Sequence, residues 1–204
     1  MLKIAVLVSG GGSNLQSIMD EIYGGNLNAS IEMVISNNEN AYALERAKEK
    51  GIQTYVFDRK TYKDNMGDKI LEVTEDKVDL IVLAGFLSIL KGKLIDKFEN
   101  KIINIHPALI PSFCGKGMYG IKVHEAVIKS GVKFSGCTVH FVNHNVDDGA
   151  IIAQEVVPVY FEDTKEILQD RVLEKEHKIL PEVINSIAEN RLEIVNGRVN
   201  IKGI

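Results

Sequence analysis

The first half of the sequence alternates short apolar runs with amphipathic segments, and this alternation limits the folds open to the chain. The apolar runs are residues 4–8, 31–35, 54–57 and 80–84. Their length and continuity are typical of strands buried in a parallel sheet. Helical spacing of apolar residues marks the segments between them, which are 15–22, 41–50 and 62–74. This order predicts an α/β fold with a mostly parallel sheet, right-handed crossovers and helices on both faces.

The second half of the sequence predicts a loop, more strands and one long helix. The loop, 112–120, holds three glycines, and a connection of that length is often a lid or a binding loop. Strand patterns at 135–142 and 151–157 flank an acidic turn and could pair with each other. A long amphipathic helix follows, which Pro181 could bend or divide. The dipeptide Asn196-Gly197 then predicts a β-hairpin.

Charge and composition narrow the range of partners. The net charge of -4 argues against a broad surface for nucleic acid or for a membrane. The sequence has no run of 18 apolar residues, and its start lacks the pattern of a signal peptide. Its two cysteines, Cys114 and Cys137, form neither a disulfide framework nor a zinc spacing. We therefore expect a cytoplasmic protein with reduced thiols.

A glycine loop, 9–14, connects the first predicted strand to the first predicted helix. Free backbone N–H groups and the positive end of a helix dipole favour a phosphate at such a loop. A dinucleotide site would require a third glycine where Leu15 stands and an acidic residue within 36–38, where the sequence has Ser-Asn-Asn. A single phosphate is therefore a better ligand than NAD. The alternative is a tight turn that binds nothing.

A polar pair follows the apolar residues 101–103. Asn104 and His106 are separated by one residue, so on an extended strand their side chains point the same way. An amide and a protonated imidazole could together stabilise an oxygen that gains negative charge. The alternative is a polar strand end with a solvated histidine.

Asp147 lies in an acidic turn at the end of a predicted strand, and most such turns have no other role. Its functional interpretation requires it to approach His106 and favour the charged imidazole. His140 and His144 lie nearby, but no third ligand has clear spacing, so we expect no metal and interpret His140 as a locally bonded strand residue. Considered by itself, His177 is expected to lie on a solvent-exposed face of the long helix.

Several of these segments, in order, resemble those of the phosphoribosylglycinamide formyltransferases. Residues 8–16 resemble the phosphate loop of that family, 83–90 resemble its folate pocket, and 104–111 resemble its catalytic signature. The similarity continues through 139–141, Asp147 and Glu176-His177, and so covers nearly the whole chain. It implies a Rossmann-like, mostly parallel seven-stranded sheet with helices on both faces and ligand sites at the carboxyl ends of its strands.

The resemblance also implies an activity, which is transfer of the formyl group of 10-formyltetrahydrofolate to the amine of glycinamide ribonucleotide in purine synthesis. It implies that the catalytic residues are Asn104, His106 and Asp147. It implies that the ribonucleotide contacts Gly12, Ser13, Asn14 and Glu176. It implies folate contacts from Arg59, Leu87, Ser88, Ile89, Leu90, Asn104, Asn143, His144, Asn145, Val146 and Asp147.

We expect one formyltransferase domain over residues 1–204, with a phosphate-binding half, 1–103, and a catalytic and folate-binding half, 104–204. The expected partners are small molecules, and the chain is expected to be a monomer or a homodimer. Position 88 departs from the family pattern, because many members carry arginine where this sequence has Ser88. The change puts in doubt a side-chain contact to the folate tail and leaves backbone contacts at 87–90 intact.

Other functions remain open from the sequence. A formyltetrahydrofolate deformylase would share the Asn, His and Asp chemistry, but a hydrolase that uses water needs no phosphate loop, and that family carries an additional N-terminal domain. A methionyl-tRNA formyltransferase would carry a further C-terminal domain. A non-catalytic nucleotide-binding module would need neither Asn104 nor His106 beside an acidic turn.

Overall fold

The computed structural model describes residues 1–203, and a seven-stranded sheet forms its centre. The strands are β1 (Leu2–Val8), β2 (Ala29–Ser36), β3 (Gln53–Val56), β4 (Leu80–Leu83), β5 (Ile102–His106), β6 (Phe134–Phe141) and β7 (Ile151–Pro158). Their order in the sheet is β3-β2-β1-β4-β5-β6-β7. Strands β1 to β5 pair in parallel, and β6 and β7 each run antiparallel to the strand before them.

Helices cover both faces of this sheet. They are α1 (Ser13–Tyr23), α2 (Tyr42–Glu49), α3 (Arg59–Tyr62), α4 (Met66–Thr74), α5 (Lys93–Lys97), α6 (Ile121–Ser130) and α7 (Lys165–Ala188). The apolar core lies in two layers because successive side chains of a strand point to opposite faces. In β1, Ile4 and Val6 belong to the layer packed by α1 and α7, whereas Ala5 and Leu7 belong to the layer packed by α4 and α5.

The predicted fold class is confirmed by this sheet and its flanking helices. The order of the strands reverses at β1, whose neighbours are β2 on one side and β4 on the other. In open α/β sheets the crevice at such a reversal, beyond the carboxyl ends of the strands, is where ligands bind. The halves 1–103 and 104–204 meet inside β5, so the sheet is continuous across that boundary.

One detail of the helices differs from what the periodicity suggested. The predicted helix 62–74 is divided, because Lys63 has a positive φ of 43° and the residues Lys63–Asn65 form a 3₁₀ turn before α4. The long helix α7 remains a single element through the buried Pro181, although a proline could have divided it. Asn196-Gly197 does form a hairpin turn, between β8 (Leu192–Val195) and β9 (Arg198–Ile201), with positive φ at both residues.

Among residues 1–203, no helix combines the length and the apolar content that crossing a bilayer would require. Within the same range, no group of three His, Cys, Asp or Glu side chains is arranged to hold a metal ion.

Candidate active site

A cavity of about 840 Å³ lies at the carboxyl edge of the sheet. Its wall includes Ser9 after β1, Gly85 after β4 and Pro107 after β5, so it occupies the crevice where the strand order reverses. The volume lies within the range of small-molecule sites, roughly 300–1,000 Å³.

The three residues that the sequence singled out as catalytic line this cavity together. Asn104 is half-buried and His106 is buried, and both project from the same face of β5. His106 Nδ1 lies 3.8 Å from Asp147 Oδ2, so the carboxylate is beside the imidazole, just beyond hydrogen-bond distance. The sequence could not show this approach, because Asp147 comes from the turn after β6.

The loop 112–120 is attached to this group from two sides. His106 Nε2 donates to the Phe113 carbonyl oxygen at 2.9 Å, since a carbonyl can only accept. The Gly115 backbone N–H donates to Asp147 Oδ2 at 2.8 Å. Both contacts fix a side chain of the site to the backbone of a glycine-containing loop. His106 Nδ1 is therefore the ring nitrogen that remains for a ligand.

Thr138 on β6 holds the segment that follows β5. Its hydroxyl donates to the Ala108 carbonyl at 2.7 Å and accepts from the Ile110 N–H at 3.1 Å. Gln154 on β7 donates to the Ile110 carbonyl and to the Thr138 hydroxyl, each at 3.0 Å. The segment 107–111 thereby gains the hydrogen bonds that a sheet would have supplied, and the end of β5 is kept in position.

The glycine loop leads into the N-terminus of α1 as predicted. The cap residue Gly12 has left-handed dihedrals (φ 72°, ψ 35°) and offers no side-chain cap, and the first turn of α1 holds no acidic residue. The N–H groups of that turn are therefore suited to an external anion. Asn14 lines the cavity, whereas Gly12 and Ser13 are not among its lining residues.

Gly12 is required for a reason that the sequence did not reveal. A Cβ at this position would lie 2.5 Å from the Cβ of Ala43, so the loop packs directly against α2. The first effect of a side chain at Gly12 would therefore be to displace α2.

Asn14 and Glu176 form a buried pair at the same end of the cavity. The Asn14 amide donates to Glu176 Oε2 at 2.7 Å, across 162 positions of the sequence. Burial raises the pKa of Glu176 to about 7, and the Asn14 hydrogen bond only partly opposes this effect. The Asn14 Oδ1 atom is buried without a partner among residues 1–203. It can therefore accept a hydrogen bond from a donor group of a ligand at this end of the cavity.

All the residues that the resemblance assigned to folate also line the cavity: Arg59, Leu87, Ser88, Ile89, Leu90, Asn104, Asn143, His144, Asn145, Val146 and Asp147. Ser88, the departure from the family pattern, accepts a hydrogen bond from the Asn37 amide at 2.7 Å. The backbone N–H of Leu87 donates to the Ser9 hydroxyl at 2.8 Å. The segment 87–90 is therefore held to the ends of β1 and β2. His144 lies at the exposed rim, paired with Asp96 at 2.8 Å.

Three histidines have surroundings that the sequence did not establish. His140 is buried and bonded locally to the Phe141 carbonyl oxygen, as expected, and it also contacts Asn104 and Asp147. His124, on α6, is a buried cavity residue whose pKa burial lowers to about 4. His177, expected on a solvated face, is half-buried. Spacing gave no signal for the contacts of His140 or for the burial of His124, because both depend on residues distant in sequence, such as Asn104 and His106.

The fold and the cavity together define an α/β protein with a ligand-sized cavity at the switch point of a doubly wound sheet. A family model described as formyl transferase matches residues 2–184. The chain is 43% identical to phosphoribosylglycinamide formyltransferase of Haemophilus influenzae, covering 100% of this chain and 95% of that protein. It is 42% identical to the chloroplastic enzyme of the same name from Arabidopsis thaliana, over 94% of this chain. The chain therefore belongs to the formyl transferase family, among the phosphoribosylglycinamide formyltransferases, and is a transferase.

Solved structures agree with this assignment. The glycinamide ribonucleotide transformylase 1 of Symbiobacterium toebii has a TM-score of 0.92 at 41% identity, with 98% of this chain and 94% of that chain covered. A formyltetrahydrofolate deformylase of Pseudomonas syringae has a TM-score of 0.89 at 24% identity, which shows a shared fold alone. The chain spans 67% of the Arabidopsis relative and 19% of the trifunctional purine biosynthetic protein adenosine-3 of Gallus gallus.

Proposed function

We propose that the chain transfers the formyl group of 10-formyltetrahydrofolate to the amine of glycinamide ribonucleotide, a step of de novo purine biosynthesis. The products are formylglycinamide ribonucleotide and tetrahydrofolate. The observation that carries this proposal is the convergence of Asn104, His106 and Asp147 on one cavity that also meets the N-terminus of α1.

The two ends of the cavity suit the two substrates. The phosphate of the ribonucleotide fits the N-terminal turn of α1, and its polar ribose and glycinamide groups fit Asn14 and Glu176. The other end has an apolar wall, to which Leu83, Phe86 and Leu90 contribute, and this wall suits the flat ring system of a folate. The reacting groups would then meet between these ends, beside Asn104 and His106.

Formyl transfer proceeds by attack of the amine on the formyl carbon. The carbon–oxygen π electrons move to oxygen, which becomes a tetrahedral oxyanion. The Asn104 amide donates one N–H to this oxygen, and His106 donates from Nδ1 when its ring is protonated. The bond from carbon to N10 of the folate then breaks, the carbonyl reforms, and N10 takes up a proton.

Asp147 is placed to handle the proton that the attacking amine must lose. Its carboxylate is beside His106 Nδ1, and its position is fixed by the Gly115 N–H. Proton transfer from the amine to Asp147, directly or through one water, and then to N10 balances the reaction without a covalent enzyme intermediate. We propose no metal in this chemistry.

The test is to incubate the chain with 10-formyltetrahydrofolate, with and without glycinamide ribonucleotide, and to follow formation of tetrahydrofolate. We expect turnover only when the ribonucleotide is present. Rapid release of formate in its absence would instead identify a deformylase. Binding of the ribonucleotide without turnover would identify a nucleotide-binding module.

We propose a cytoplasmic location, in keeping with the free thiols of Cys114 and Cys137 and with small-molecule substrates. We further propose that residues 1–204 form one domain that is a monomer or a homodimer. Cell fractionation tests the location, and sedimentation equilibrium tests the oligomeric state.

A further inference from the structure

His140 on β6 lies at the centre of the candidate active site with both ring nitrogens engaged. Its side chain is 2% exposed. The Nδ1 atom is 2.8 Å from the Phe141 carbonyl oxygen, and the Nε2 atom is 3.1 Å from Asn104 Nδ2. Asp147 Oδ1 lies 3.7 Å from the same Nε2. These contacts determine where the imidazole carries its proton.

A carbonyl oxygen can only accept a hydrogen bond, so His140 Nδ1 must carry the proton that Phe141 accepts. In the neutral ring Nε2 then has a lone pair and is an acceptor. The Asn104 atom at 3.1 Å must therefore be its NH₂ group, and the Asn104 amide has one allowed orientation.

We propose that His140 is a positioning residue that fixes the amide of Asn104, so that one N–H is held by His140 and the other is directed to the formyl oxygen. The inference rests on the proposed formyl transfer and adds a residue to it. A freely rotating amide could present its oxygen to the developing oxyanion, and this orientation would be repulsive.

The arrangement requires a neutral His140. A proton on Nε2 would face the Asn104 NH₂ group and turn the contact into a repulsion. Burial, the largest effect, lowers the pKa of His140, and His106 on β5 acts in the same direction. The Phe141 carbonyl and Asp147 oppose this shift. The net effect is downward, so the ring is neutral at pH 7.

A double-mutant cycle in the full chain tests the proposal through turnover. His140→Leu should lower kcat by roughly 10- to 100-fold. This loss should be smaller than that in Asn104→Ala, because removing one oxyanion donor lowers kcat by a factor on the order of 10²–10³. In the Asn104→Ala background, His140→Leu should have no further effect on kcat. His140→Gln, whose amide oxygen can accept from Asn104, should recover most of the rate. Losses that multiply in the double variant would overturn the proposal.

Two further measurements separate this inference from folding and from the proposed function. Ser135→Ala removes another buried polar group of β6, remote from the contacts above, and should leave kcat unchanged. Nitrogen-15 NMR of the ligand-free protein at pH 7 should show His140 neutral, with its proton on Nδ1. A proton on Nε2 would overturn the inference even if formyl transfer is observed.

Discussion

Replacing Glu176 by glutamine removes a buried carboxyl whose protonation couples stability to pH. The side chain is 7% exposed, and its pKa is raised from 4.5 to about 7. Between these values the native protein holds a proton that the unfolded chain has released, so the free energy of unfolding falls as pH rises. The difference between these two pKa values corresponds to about 3 kcal/mol of unfolding free energy. This contribution to the free energy of unfolding should therefore be completely lost only above about pH 7, the pKa of Glu176 in the folded state.

Glu176→Gln keeps an oxygen that can accept from Asn14 and cannot ionise. Urea unfolding of the ligand-free wild type and of this variant, from pH 4.5 to 8.5, isolates the contribution of Glu176. As pH rises over this range, the free energy of unfolding of the variant should increase by about 3 kcal/mol relative to that of the wild type. Glu182→Gln, an exposed carboxylate of the same helix, is the control and should show no such trend. A stability difference independent of pH would refute the reasoning.

Three more substitutions test the site and its support. His106→Ala should lower kcat by about 10³ while both substrates still bind, because an oxyanion donor is lost; near-normal turnover would refute its role. Thr138→Val should reduce the free energy of unfolding by about 3 kcal/mol in urea, since the groups that bond its hydroxyl stay buried. Gly12→Val should lower the free energy of unfolding by a similar amount, because the new side chain would clash with Ala43. The control Gly11→Ala, which has open space around it, should leave stability unchanged.

The sequence predicted the fold well because strand and helix periods are local properties. The runs 4–8 and 80–84 correspond to β1 and β4, and the Asn-Gly hairpin was identified from its dipeptide. The division of helix 62–74 was missed because nothing in the sequence signals the positive φ at Lys63. A lysine in that conformation is set by its surroundings rather than by local preference.

The candidate site was predictable only in part. The spacing of Asn104 and His106 placed them on one strand face, but it could not bring Asp147 beside them. Glu176 was assigned to the site only by the family resemblance. A glutamate on a helix alone predicts an exposed side chain, and its contact with Asn14 is visible only in the structure. His140 is locally bonded as expected, but its contact with Asn104 could not be predicted because it exists only through the pairing of β5 with β6.

The fate of an isotopically labelled formyl group tests direct transfer in one measurement. The chain is mixed with 10-[¹⁴C]formyltetrahydrofolate and glycinamide ribonucleotide, and the label is separated into free formate and ribonucleotide amide. Direct attack by the amine predicts that the label appears in the amide, and that His106→Ala suppresses its appearance. Label that accumulates as free formate at the same rate with and without the ribonucleotide would contradict the proposed reaction.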